Sequence, residues 1–191
     1  MRTIVLASAS SGRAELLLRT GILFTVDPSR CAEDSESCDP EEYVTSLALR
    51  KARDVAGRYS NAVVIGADTV IDLDGEIMGK PDSVADAERM LTRLSGRFHR
   101  LLTGLAIIDS FSGAEYQGLE STLVHVRTLT PGEISAYVAS GEPEGKSGSY
   151  EIQGLGATII DRIEGDFSNV VGLPMAHLAR ALEQFDVRLL T

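Results

Sequence analysis

The residues best placed to do chemistry are polar ones standing where apolar neighbours prevail. Asp68 interrupts the strand-like run Val63 to Ile71. A carboxylate there is costly to bury unless a cation or hydrogen-bond donors compensate it. It can cap a strand end or pair with a structural arginine. It can equally be a magnesium ligand or a general base, since hard cations take oxygen donors and a carboxylate can activate water. Lys51 poses the same question on a helix. At 100° per residue it falls within ~20° of the centre of the stripe Val44, Ala48 and Val55, so it faces inward. Either its stem packs while the ammonium snorkels to solvent, or the ammonium reaches a cleft that holds an anion.

Other segments have the chemistry of phosphate sites without being diagnostic alone. The run Ser8 to Gly12 precedes a helix, whose free N–H groups and positive dipole end favour anions. Arg13 in the first turn opposes that dipole, which is tolerable if a phosphate lies between them; the plainer alternative is a serine N-cap beside a solvated arginine. Gly79-Lys80-Pro81 and the stretch Gly141 to Gly148, which contains Lys146, can bring backbone N–H groups and a point charge to a phosphate. Both can also be surface turns, and neither has the P-loop spacing. His99 and His177 do not form a metal cluster by spacing and are read as packing or surface residues. Cys31 and Cys38 lack a second pair at zinc spacing and are read as thiols of a reducing compartment.

The elements that must position these residues follow from periodicity and caps. Strands are expected over Thr3 to Ser8, Ala62 to Leu73, Glu76 to Met78, Phe98 to Asp109, Glu115 to Val126 and Ala157 to Ile163. Asp74-Gly75 and Ser112-Gly113 are their hairpin turns. Helices are expected from about Arg13 to Thr20, from Pro40 to Ala56 behind Asp39 with Glu42 closing a capping box, and from Ser83 to Leu94. Two more run from a capping box at Thr130 and Glu133 to Ser140, and from Pro174 to Phe185. Strands and helices alternate, yet hairpins are present, so the fold class is α/β with a mixed sheet. No repeat or long linker divides the 191 residues, which are expected to form one domain.

Composition narrows the partners. With 43% apolar residues the chain can bury a core without staples. A formal net charge of −10 argues against nucleic acid, whose binding rests on Lys and Arg neutralising phosphates. No segment approaches a membrane span and the N-terminus opens as a strand rather than a leader, so a cytoplasmic protein is expected. Cations for an anionic ligand must be gathered locally.

Taken in order, the segments resemble the Maf family of nucleoside triphosphate pyrophosphatases. The resemblance rests on Leu6 to Arg13, Glu33, Leu47 to Ala52, Gly66 to Val70, Gly79 to Pro81, Leu94 to Gly96, His99, Thr103-Gly104, Gly148 to Gly154 and Val171 to Pro174. It implies an elongated fold like that of inosine triphosphatases, with an active-site cleft between two lobes sharing a central sheet. It also implies dependence on magnesium or another divalent cation such as manganese, and frequent homodimers. The resemblance places Ser8, Ser10, Arg13, Lys51, Lys80 and Lys146 around the triphosphate, Glu33 and Asp68 at the metal and water, and Gln153 near the base. The segment Tyr150 to Gly154 is closer to the branch acting on dTTP and UTP than to the 7-methylguanosine branch. The chain departs from the family pattern at Gly12, where the pyrimidine branch usually has arginine, at Ala32, where aspartate is usual, and at Gly145, where aspartate often precedes the lysine.

Two other functions have a foothold. Val70 to Gly75 imitates the aspartyl nucleophile motif of haloacid-dehalogenase-like phosphatases, but it lies mid-chain, is followed by Glu76, and its Asp-Gly is explained by the hairpin. The family resemblance also carries an association with arrest of septum formation, which would suit a nucleotide-binding regulator of division with little catalysis.

Overall fold

The apolar run Ala62–Leu73 forms strand β3 at the centre of a mixed sheet, in a computed structural model that describes residues 2–33 and 37–190. Residues 34–36, inside the polar stretch from Arg30 to Asp39, lie outside the described residues, as do Met1 and Thr191. Eleven of the twelve β3 residues are buried, which is why the stretch reads as continuous rather than alternating. Strand β1 (Thr3–Leu6) pairs with it in parallel and carries the two-residue β2 (Thr25–Val26) on its outer edge. On the other side β5 (Phe98–Asp109) is antiparallel to β3, followed by β6 (Glu115–Val126) and β7 (Ile160–Glu164), while β4 (Glu76–Met78) folds back on β3. The β3–β4 hairpin turns at Asp74 and Gly75, both at positive φ, as a two-residue turn requires.

Helix α1 (Ser11–Leu18) follows β1, α2 (Pro40–Ala56) precedes β3, and α3 (Val84–Leu94) precedes β5. After β6 come α4 (Pro131–Ala139), β7, the short α5 (Phe167–Val171) and α6 (Met175–Leu182). The fold class is therefore α/β with a mixed sheet and flanking helices, as expected.

Several boundaries differ for local reasons. Strand β1 stops at Leu6, two residues before the expected Ser8, because the Ser8 hydroxyl turns to accept the N–H of Ser10. Helix α1 accordingly opens at Ser11, not Arg13. Asp39 caps α2 through the N–H groups of Glu41 and Glu42, but the expected capping box is absent. The Asp39 N–H goes to the Ser37 hydroxyl, which itself donates to Glu42. The box at Thr130 and Glu133 is present. The last strand begins at Ile160 rather than Ala157, since Leu155–Thr158 form a 3-10 turn. The last helix ends at Leu182 and continues as a 3-10 turn to Phe185.

The long strands cross from one core to another. Val63, Ile65, Ala67, Leu105 and Ile107 pack with Leu6, Leu17, Leu178 and Leu182. Farther along the same strands, Ile71, Leu73 and Leu101 pack with Leu91, Leu94, Tyr137 and Tyr150. Between these stretches lie the polar side chains of Asp68, Thr69 and Thr103, the two threonine hydroxyls 2.9 Å apart.

Helix α2 lies unusually close to the sheet at that junction. A Cβ on Gly66 would stand 2.4 Å from the Ala48 carbonyl, and one on Gly104 would stand 2.1 Å from that of Val44. Only glycine admits this approach. It brings the buried face of α2, Lys51 included, onto β3 beside Asp68.

Candidate active site

Ser8, Ser10, Arg13, Glu33, Lys51, Asp68, Lys80, Lys146 and Gln153 all line one cleft of about 400 Å³. They come from six separated segments, so their convergence is a property of the fold.

Lys51 is buried with the stripe it shares, and its ammonium donates to Asp68 Oδ1 at 2.7 Å. Glu33 Oε1 lies at the same distance, and Glu33 Oε2 is 3.6 Å from the exposed Lys80 ammonium. The lysine does not snorkel to open solvent. The hydrogen bond from Lys51 holds the Glu33 carboxyl below its ordinary range, against a partial desolvation that acts the other way.

Helix α2 also carries the segment that delivers Glu33. Asp54 Oδ2 accepts from Ser29 Oγ at 2.9 Å and from the Arg30 N–H at 2.7 Å. The Arg58 guanidinium spans Asp27 and Asp54, Arg50 donates to the Ala32 carbonyl, and the Tyr43 hydroxyl donates to the Glu33 carbonyl at 3.1 Å. These pins are invisible to a motif search. The i,i+4 pair Asp54 and Arg58 was the one available signal.

Ser10 is an ordinary N-cap, accepting the Arg13 N–H at 3.4 Å, but Arg13 is not solvated. Its guanidinium turns inward and donates to Gly172 O at 2.7 Å, Ser8 Oγ at 3.1 Å and Thr69 Oγ1 at 2.9 Å. All three acceptors are neutral, and among the described residues Arg13 has no ion pair. Burial draws its pKa downward while Asp68 and Glu33 support the charge from a distance. An arginine remains protonated in such a place, so the cleft holds a cation without a contacting counterion.

Lys146 pairs with Glu151 Oε2 at 2.7 Å. Its loop is tied to the rest of the site by the Gly148 N–H on Gly79 O at 2.8 Å and by Ser147 Oγ on Thr69 O at 2.9 Å. The segments bearing Lys80, Lys146 and Asp68 are thus mechanically joined. Thr69, Ser147 and Glu151 line the cleft too. Sequence reasoning did not single them out as site residues, although all three lie in stretches it used.

His99 and His177 stay outside the chemistry. His99 is buried with Nε2 2.8 Å from the Tyr150 hydroxyl, and burial draws its pKa down to about 4. His177 bridges Tyr116 and Glu120 of β6 and does not line the cleft. Cys31 and Cys38 are both free thiols. Asp72, part of the nucleophile-like motif, accepts from the Gly75 N–H and from Arg100, a structural use that removes the phosphatase alternative.

The formal charges of the cleft cancel: Arg13, Lys51, Lys80 and Lys146 face Glu33, Asp68, Glu144 and Glu151. Among the described residues no group of three or more His, Cys, Asp or Glu could cage a metal. Two carboxylates converging on one ammonium do suit a cation that takes one or two protein carboxylates and completes its shell with phosphate and water, which is the habit of magnesium.

The sequence model of the Maf family, described as Maf-like protein, matches residues 3–185. The chain belongs to the Maf family. It is 48% identical over 188 residues to the dTTP/UTP pyrophosphatase of Moorella thermoacetica, covering 98% of this chain and 97% of that protein. It is 45% identical over 192 residues to the dTTP/UTP pyrophosphatase of Symbiobacterium thermophilum, covering 100% and 98%. The protein of the same description from Bacillus mycoides is 46% identical over 187 residues, with 97% of each chain covered. Among the described residues no helix of this Maf protein is long and apolar enough to cross a membrane.

Proposed function

We propose that this chain hydrolyses nucleoside triphosphates, dTTP and UTP foremost, to the monophosphate and pyrophosphate with a divalent cation, magnesium or manganese. The observation that carries the proposal is the inward-turned Arg13, a cation with only neutral contacts, in one cleft with Lys51, Lys80 and Lys146. In a chain of net charge −10 a cleft whose four cations balance its four carboxylates is far less acidic than the rest, and with a divalent cation it suits a polyanion. The pyrimidine preference is supported by the names of the relatives and by Gln153 at the cleft wall.

In this mechanism Asp68 orients a water toward the α phosphorus and accepts its proton as the new P–O bond forms and the bond to the bridging oxygen breaks. Its Oδ1 is held by Lys51, and among the described residues it has no other hydrogen-bond partner, which leaves its second oxygen for that water. Arg13, Lys51, Lys80 and Lys146 oppose the charge that develops on the phosphate oxygens, which is the larger part of what phosphoryl transfer needs. Ser8 and Ser10 lie at the phosphate end, and Gln153 offers an amide donor and acceptor to the base. Glu33 and Asp68 would hold the metal, which when bound adds positive charge that the balanced side chains cannot supply for a triphosphate.

The test is a panel of ribo- and deoxyribonucleoside triphosphates with magnesium, scored for pyrophosphate release. Pyrophosphate and monophosphate in equal amounts, fastest from dTTP and UTP, is the expected result. Orthophosphate as the first product, or no turnover of any triphosphate, would refute the proposal.

A further inference from the structure

The segment that carries Gln153 is held from behind by a carboxylate outside the cleft. Glu142 lies in the turn after α4 and is half-buried. Its Oε1 accepts the Tyr137 hydroxyl at 2.8 Å and the Gly156 N–H at 2.7 Å, and its Oε2 accepts the Leu155 N–H at 2.7 Å. The Tyr137 oxygen in turn accepts the Glu151 N–H at 3.1 Å. One acid and one buried phenol thereby fix three backbone N–H groups that bracket Gln153 on both sides.

The surrounding sequence fits this clamp. A Cβ on Gly154 would stand 2.1 Å from Glu142 Oε2, so a side chain there would push the carboxylate off the donors it now holds. The Ser140 hydroxyl accepts the Glu142 N–H at 3.2 Å and fixes the turn at the end of α4. Burial alone would raise the Glu142 pKa; the donors on its two oxygens reverse that and keep it ionised.

We infer that Glu142 and Tyr137 are positioning residues for nucleotide recognition, setting Gln153 against the base and Glu151 against Lys146. The inference rests on the proposed triphosphate hydrolysis. Two residues of the held segment line the cleft: Gln153, and Glu151, which holds Lys146 at 2.7 Å. Neither Glu142 nor Tyr137 lines the cleft, so their effect must pass through the backbone they hold. A 1 Å misplacement of a positioning group can cost as much as ~10²-fold, and without these bonds a segment that contains Gly154 and Gly156 would be freer to shift.

The test uses the full chain with Glu142→Gln. An amide in place of the carboxylate sets an NH₂ against Leu155 N–H in one orientation, or against Gly156 N–H and Tyr137 in the other, so no flip restores the clamp. KM for dTTP and UTP should rise roughly tenfold and preference over purine triphosphates should narrow, with kcat falling by less than KM rises, since Asp68 and Lys51 are untouched and Lys146 keeps its charge while its partner Glu151 is less firmly held. Amide exchange at residues 151–156 should quicken. Tyr137→Phe keeps the ring packing and should show the same pattern more weakly, and it decides the matter if Glu142→Gln does not fold. Unchanged KM and unchanged base preference in a folded variant would overturn the inference. A wild-type chain that releases no pyrophosphate from any triphosphate would instead overturn the proposed function.

Discussion

The ammonium of Lys51 sits 2.7 Å from Asp68 Oδ1, joining the inward face of α2 to the centre of β3, where Asp68 and Thr69 interrupt the apolar run. The pair lies in a cleft rather than a sealed core, and Glu33 shares the same ammonium. The two residues can therefore be separated experimentally, because each leaves the other with a different environment.

Asp68→Asn keeps the shape of the side chain and leaves Lys51 paired with Glu33. Turnover should fall by ~10² or more, the usual cost of losing a general base or a charge stabiliser, with the melting temperature within a few degrees of wild type. Steady-state kinetics beside a thermal melt check both halves. Wild-type turnover in the variant would take Asp68 out of the mechanism.

Lys51→Ala removes a cation from the ligand and a partner from a nearly buried carboxylate. KM should rise and kcat should fall together, because phosphate contacts are lost in both ground and transition states. An unpaired Asp68 should also cost about 1–3 kcal/mol of stability, tempered by the open cleft. Normal kinetics in a protein that merely melts earlier would assign Lys51 a structural role alone.

Much of the fold was legible because its longest elements are strongly patterned. The strands Ala62–Leu73, Phe98–Asp109 and Glu115–Val126 and the helix Pro40–Ala56 have the bounds expected from apolar runs, turn dipeptides and the Asp39-Pro40 cap. What local patterns could not give was anything decided by a partner distant in sequence. Ala157 and Thr158 read as the start of a strand, but they close the 3-10 turn Leu155–Thr158, whose first two N–H groups Glu142 captures. Strand β2 is two residues long and α5 five, too short for periodicity to register. At the site, Lys51 and Asp68 were visible as polar residues in apolar places. Glu33 and Gln153 have no such signature and came from family resemblance. The inward turn of Arg13 depends on Thr69 and Gly172, which are 56 and 159 residues away.

Gly104→Ala tests the close approach of α2 to the sheet. The new methyl would meet the Val44 carbonyl at 2.1 Å and the Thr45 nitrogen at 2.7 Å, both backbone atoms that cannot rotate away. The helix must lift, which should cost about 1–3 kcal/mol or more by overpacking and should carry Lys51 away from Asp68. A lower melting temperature together with reduced kcat/KM is expected. An unchanged melt would show that α2 has room that the structure denies it.

His99 should make stability depend on pH below neutrality. Buried against Tyr150, with Nδ1 lacking a partner among the described residues, it keeps its neutral form in the folded chain, and burial draws its pKa down to about 4. In the unfolded chain the ring titrates near its ordinary value of about 6.5. Above that value both states are neutral and His99 contributes no pH dependence. As pH falls from about 6.5 toward about 4 the unfolded chain binds a proton that the folded chain refuses, so stability is lost across that window. The loss levels off once the folded ring also protonates, at a total on the order of 3 kcal/mol. His99→Gln removes the titration while keeping a polar side chain opposite the Tyr150 hydroxyl. Denaturant melts at pH 7 and pH 5 should show a smaller difference for the variant than for wild type, and equal differences would mean that His99 is protonated without unfolding.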